Sequence, residues 1–285
     1  MTVLVLDFDG TMTDAEAEGR PFRDGYLDDL ATLVGRRPGD AEIAEIADAV
    51  ERELADRPGD VPFVWMGRAV APATVDPYLR MVPIAHRVLD RFGAFPGADD
   101  RGRLLGGVLY KYNYAKTLGL PVFRAGAGDV LRALAGREAF VVTNSDTEAV
   151  AGKLAKLDQI TPGAGWLAPR VRGGARKFEV DDAWDGVPAE LAVPGLARPV
   201  LLRRRTYHDQ LARCLAAAGG ASWAELVVCG DIFELDLALP LALGARIALV
   251  AGPRTPGYER ELVATHPRGC VITDLAELLP FAFPS

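Results

Sequence analysis

The chain has 285 residues, 49% hydrophobic and 25% charged, and its 39 acids outnumber its 32 bases to leave a net charge of −7. This is the length of one large domain or two modest ones, with an ordinary globular composition. The acidic balance argues against a dedicated nucleic-acid binder, which carries a basic stripe, and the one tight basic run, Arg203-Arg204-Arg205, is too short to alter that.

The first predicted element is the most informative. Val3–Leu6 is an apolar, β-branched run that reads as a buried strand, and it stops abruptly at Asp7-Phe8-Asp9-Gly10-Thr11. Gly10 lets the chain turn as it leaves the sheet. Two carboxylates at the end of a buried strand are unfavourable unless something compensates them. Ligands of open α/β sheets sit at that edge, and a divalent cation is the simplest compensation.

From residue 15 to 120 the chain reads as mainly helical. Glu42–Ala55, Val75–Phe92 and Arg101–Leu118 carry apolar residues at three-to-four spacing, with breaks at Ala71-Pro72-Ala73 and Phe95-Pro96-Gly97. So long a stretch is not a simple crossover, and a separate small helical cap domain over the strand ends is expected. Within it Tyr110 and Tyr114 share a helical face, as do Tyr112 and Lys116. Such a face either packs the interior of the cap or stacks on an organic leaving group.

Beyond residue 120, strands at Ala139–Val142, Leu226–Cys229, Ala245–Val250 and Cys270–Thr273 alternate with helices at Asp129–Ala135, Ala149–Leu157, Asp209–Ala218, Leu235–Leu243 and Tyr258–Ala264. This order predicts an α/β protein with a doubly wound parallel sheet. Residues 160–200, rich in Gly, Pro and Arg, read as an irregular insertion with a short strand over Arg170–Val180. Lys153 and Lys156 read as the exposed face of their helix. His86, His208 and His266 have no metal-ligand spacing and read as structural. The cysteines Cys214, Cys229 and Cys270 are odd in number and widely spaced, so buried thiols are expected rather than disulfides. No apolar stretch reaches the ~18 residues of a membrane span and no leader precedes the first strand, so a cytoplasmic location without a membrane partner is expected.

Two further segments end as the first one does. Phe140-Val-Val-Thr143-Asn144-Ser145-Asp146 is a buried strand followed by hydroxyl and amide side chains. Leu226-Val-Val-Cys-Gly230-Asp231-Ile-Phe-Glu234-Leu-Asp236 is another strand, then a glycine and three acids. Between them lie Lys177 and Arg203–Arg205. The order strand-DxD, strand-Thr, basic residue, strand-GDxxxxD resembles the haloacid dehalogenase-like (HAD) superfamily of phosphotransferases. The resemblance covers residues 1–14 and 121–285, a Rossmann-like core, with residues 15–120 as the cap.

The resemblance implies a Mg²⁺-dependent phosphatase acting on a small phosphorylated metabolite. Asp7 would be the nucleophile, forming an aspartyl-phosphate, and Asp9 would protonate the leaving oxygen and later deprotonate water. Mg²⁺ prefers oxygen ligands, and the resemblance implies the Asp7 carboxylate, the Asp9 backbone carbonyl, Asp231 and Asp236, the last directly or through water. Thr143 and the Asn144 backbone N–H would bind the phosphoryl group, and Thr11 would fix the loop after the nucleophile and lie at the substrate. Glu234 is surplus to the metal set. The family also places a lysine against the nucleophile. Lys177 is one candidate, and an arginine of the 203–205 run is the other, although a planar guanidinium does not replace an ammonium. A phosphotransferase or mutase, and a non-catalytic module that binds phosphate and Mg²⁺, are the alternative readings.

Overall fold

The computed structural model describes residues 1–117 and 121–284. Among the described residues are ten strands: β1 (Val3–Leu6), β2 (Pro62–Trp65), β3 (Arg68–Pro72), β4 (Glu138–Val142), β5 (Val171–Arg172), β6 (Glu190–Leu191), β7 (Val200–Leu201), β8 (Leu226–Gly230), β9 (Arg246–Val250) and β10 (Gly269–Ile272). Six of them form one parallel sheet in the order β10-β9-β8-β1-β4-β5. The fold is thus the α/β parallel sheet that the alternation of strands and helices predicts.

The central strands are apolar at every position because both faces of the sheet are covered. Alternate residues point to opposite faces. Val3, Val5, Phe140, Val142, Leu226 and Val228 join one core with Leu211 and Tyr207. Leu4, Leu6, Ala139, Val141, Val227 and Cys229 join the other with Leu131 and Leu154. β1 lies between β8 and β4, with Leu6 paired to Cys229 on one side and Val141 on the other. The C-terminal ends of three chemistry-bearing strands therefore meet at one edge.

The chain divides into two compact units. The first comprises Met1–Asp14, Val64–Ala71 and Phe123–Ser285, and the second comprises Ala15–Phe63 and Pro72–Val122. The second unit packs the helices Ala15–Leu33, Ala41–Asp56 and Pro77–Arg91 and a helical run from Ala98 to Ala115. Asp40 and Asp76 cap the second and third of these by accepting hydrogen bonds from the first exposed N–H groups. Residue 118, the end of the expected helix Arg101–Leu118, lies outside the described residues. Tyr110 and Tyr114 stack at 5.9 Å between ring centroids, and both rings meet Tyr78. With Phe22 against Tyr110, they pack this unit's own aromatic cluster.

Three sequence expectations differ from the structure. Residues 62–72, which lie between the expected helices Glu42–Ala55 and Val75–Phe92 in a stretch that reads as mainly helical, form the antiparallel hairpin β2–β3. Its two-residue turn, Met66-Gly67, has positive φ at both positions (47° and 77°), as a tight hairpin requires. The usual Asn-Gly signal is missing, which is why the hairpin is invisible in the sequence. Its Val64–Ala71 stretch belongs to the first unit, where Arg68 pairs with Asp182 and the Trp65 ring meets Phe178 edge-on at 4.7 Å. Secondly, the helix Ala15–Leu33 has no counterpart in the predicted elements. Thirdly, the strand expected over Arg170–Val180 is confined to Val171–Arg172. Beyond it, Gly173 and Gly174 turn the chain onto the loop after β4.

Candidate active site

Asp7 follows β1 directly, and its N–H still donates to the Cys229 carbonyl at 2.8 Å, so the sheet holds its backbone. The chain then closes tightly: the Met12 N–H donates to the Phe8 carbonyl at 2.8 Å, and Gly10 adopts φ 86°. A Cβ on Gly10 would lie 2.3 Å from Asp231 Oδ2. Glycine is required there both for its conformation and for the close approach of the acid from β8. Arg124 locks the turn by donating to the Gly10 and Thr11 carbonyls at 2.5 and 3.2 Å.

The cation that meets Asp7 is the one that sequence left open between Lys177 and the arginine run. Lys177 Nζ donates to Asp7 Oδ1 at 2.6 Å and to Asp236 Oδ1 at 2.8 Å, fully buried. The loop carrying it is zipped to the loop after β4. The Gly174 N–H donates to the Ser145 carbonyl, the Ala175 N–H to the Thr143 carbonyl (2.9 Å each), and the Lys177 N–H to Asn144 Oδ1 at 2.7 Å. A Cβ on Gly173 would lie 2.3 Å from the Thr147 amide nitrogen, so the approach requires glycine there. Arg204 is buried too, but it serves the backbone: it donates to the carbonyls of Lys177, Leu201 and Val70. Burial pushes its guanidinium down to about 10. The sequence has no local signal for this role, because only the fold brings those three carbonyls together.

Thr11, completely buried, donates at 3.2 Å to both Asp7 Oδ2 and Asp231 Oδ1, tying the two acids together. Thr143 is buried at the end of β4, its hydroxyl accepting from the Ser145 N–H at 3.1 Å. Asp236 accepts the Ile232 N–H on Oδ2 at 3.0 Å. Glu234 stands apart from these acids: Arg198 grips both its oxygens at 2.7 and 2.8 Å, and Tyr258 donates to Oε1 at 2.9 Å.

Lys153 corrects an expectation. It does not lie on an exposed helix face. Its Nζ donates to Asp9 Oδ1 at 2.7 Å, while Ser145 Oγ donates to Asp9 Oδ2 at 2.6 Å. A long side chain on the helix Thr147–Ile160 reaches the acid across the loop. Helical periodicity places Lys153 beside the buried Val150 and Leu154 and says nothing of that reach.

Asp7, Asp231 and Asp236 each offer an oxygen, all within 4.8 Å of one another. Burial pushes the Asp7 carboxyl up to about 7, with Asp236 and Asp9 adding to it against the pull of Lys177. Burial opposes the Lys177 ammonium, but Asp236 and Asp7 outweigh it and hold it charged. Lys177 meets two of these three acids, Asp7 and Asp236, and the close approach of all three suits a divalent cation. An all-oxygen donor set suits a hard cation such as Mg²⁺.

No protein-family model matches the chain, and no curated protein sequence does. Solved structures do. A predicted phosphoglycolate phosphatase from Haemophilus somnus is 13% identical, covers 99% of this chain and 98% of its own, and superposes with a TM-score of 0.51. YfnB of Bacillus subtilis, designated a HAD-hydrolase and solved bound to magnesium, is 14% identical over 99% and 98%, with a TM-score of 0.52. The haloacid dehalogenase-like hydrolase SP0104 of Streptococcus pneumoniae is 12% identical over 99% and 98%, also at 0.52. The chain has the fold of the haloacid dehalogenase-like hydrolases. Among the described residues, no helix is long and apolar enough to cross a membrane.

Proposed function

We propose that the protein is a Mg²⁺-dependent phosphatase of this superfamily, hydrolysing a small phosphorylated metabolite through an aspartyl-phosphate on Asp7. The carrying observation is the Asp7 carboxylate at the end of β1, held by Lys177 and flanked by Asp231 and Asp236. The similarity to folds designated phosphatase and HAD-hydrolase supports the same reading.

An Asp7 oxygen attacks phosphorus as the ester oxygen departs. Asp9 gives that oxygen a proton, then takes one from the water that hydrolyses the acyl phosphate. Lys177 offsets negative charge between nucleophile and phosphoryl oxygens, as phosphoryl transfer requires. Thr143 and the Asn144 N–H are the phosphoryl-binding groups of this reading, and Thr11 orients Asp7 toward its target. Asp7, the Asp9 carbonyl, Asp231 and Asp236 are the proposed Mg²⁺ ligands. When bound, the ion offsets the repulsion between carboxylate and phosphate.

Phosphate release from p-nitrophenyl phosphate with Mg²⁺, and its loss with a chelator, tests this reading; transfer of the phosphoryl group to an added alcohol with no free phosphate would instead identify a phosphotransferase. Metal binding has its own signature in stability. In the metal-free protein, the raised Asp7 carboxyl contributes stability that is complete below its ordinary value of 3.8 and is lost as pH rises through about 7. Mg²⁺ binds the ionised form, so it should raise the melting temperature more at pH 8 than at pH 6. An equal rise at both, or none, argues against Asp7 as a ligand.

A further inference from the structure

We propose that Lys153 is a positioning residue for proton transfer: with Ser145 it clamps the Asp9 carboxylate in the orientation that serves the leaving oxygen. The inference rests on the phosphatase reading above and deepens it.

Three observations carry it. Both Asp9 oxygens are engaged, Oδ1 by Lys153 Nζ at 2.7 Å and Oδ2 by Ser145 Oγ at 2.6 Å. Two donors on opposite oxygens fix the plane of a carboxylate that is otherwise free to rotate about its terminal torsion. Both donors belong to the segment after β4, the one that begins with Thr143. Asp9 is thereby tied to the phosphoryl-binding loop and not only to its own turn. Finally, the Lys153 side chain is 13% exposed and the Asp9 side chain 33%. The contact is sheltered enough for its geometry to persist, whereas a fully solvated pair contributes little.

The step it serves balances simply. As the bond between Asp7 oxygen and phosphorus forms, the ester bond breaks with its electron pair on the leaving oxygen, which takes the Asp9 proton. Water then attacks phosphorus, returns a proton to Asp9 and frees the Asp7 carboxylate and inorganic phosphate. A misplaced proton donor slows the first step in proportion to how much the leaving oxygen needs the proton. Nitrophenolate needs it little, and phenolate needs it more.

The test compares kcat/KM for p-nitrophenyl phosphate and phenyl phosphate, both with Mg²⁺, in the wild type, Lys153→Met and Lys153→Arg. Lys153→Met should lose about 10²-fold on phenyl phosphate, within the range of general acid catalysis, and less than about tenfold on the nitrophenyl ester. Lys153→Arg should recover most of the loss, and Lys153→Met should add nothing in an Asp9→Asn background. The same loss on both esters, no loss on either, or a full additional loss in the Asp9→Asn background overturns the proposal. A wild type that hydrolyses neither ester is instead a failure of the phosphatase reading. The clamp is then judged by a denaturant double-mutant cycle between positions 9 and 153, in which a coupling sustains it and strict additivity overturns it.

Discussion

Asp7→Asn should abolish phosphate release, lowering kcat by at least about 10⁴-fold, the scale seen when a covalent nucleophile is removed. The amide is nearly isosteric but cannot form the acyl phosphate. The loss should appear in kcat, with substrate binding preserved, because Thr143, the Asn144 N–H and Lys177 are untouched. The protein should remain folded and lose no stability in metal-free buffer at pH 8. The substitution leaves Asp236 to pair with the Lys177 ammonium, and the Asp7 carboxyl is already disfavoured as an ion by burial. Phosphate release measured beside a denaturant melt separates the two effects. Activity within about tenfold of wild type would overturn the assignment of the nucleophile.

Lys177→Met should be costly twice over. Its ammonium is fully buried and joins Asp7 to Asp236 at 2.6 and 2.8 Å. Removing one partner of a buried ion pair leaves uncompensated charge, typically destabilising by about 3–5 kcal/mol. Denaturant melts in metal-free buffer at pH 8 should read that loss. At pH 5 the loss should shrink, since that is below the value near 7 to which burial raises Asp7, and a protonated carboxyl needs no ammonium beside it. Catalysis should fall as well, and Lys177→Arg should not restore it. The ammonium also lies over the Tyr207 ring at 5.3 Å, in a space shaped for a point charge and not a planar fork. A loss that is independent of pH would show that Asp7 does not set the cost.

The parts of this molecule legible in the sequence are those whose physics is local. Val3–Leu6 and Leu226–Cys229 are apolar at every position because strands covered on both faces have no polar side, and their abrupt ends at Asp7 and Gly230 mark the edge of the sheet. Gly10 marks the turn at the first of these ends, while the approach of Asp231 that also requires glycine there comes from the fold. The helices at Ala41–Asp56 and Pro77–Arg91 follow from apolar spacing and from the acids that cap them. The hairpin β2–β3 was hidden because Met66-Gly67 takes up positive φ without the residues that usually advertise it.

What only the tertiary structure decided is which charges meet. In the sequence, Lys177 stands ahead of the Arg203–Arg205 run because an ammonium suits the role better than a planar guanidinium. They part because Gly173 and Gly174 let one loop lie flush on another, which delivers Lys177 to Asp7, while Arg204 is turned to three backbone carbonyls. Lys153, by its helical spacing a lysine of an exposed face, is the partner of Asp9. The sequence by itself determined the parallel sheet and the four acids at its edge, because hydrophobic burial and chain turns are encoded within a few residues. The cations that neutralise those acids were set by the fold, because long side chains and glycine-lined loop contacts act between segments far apart in the chain.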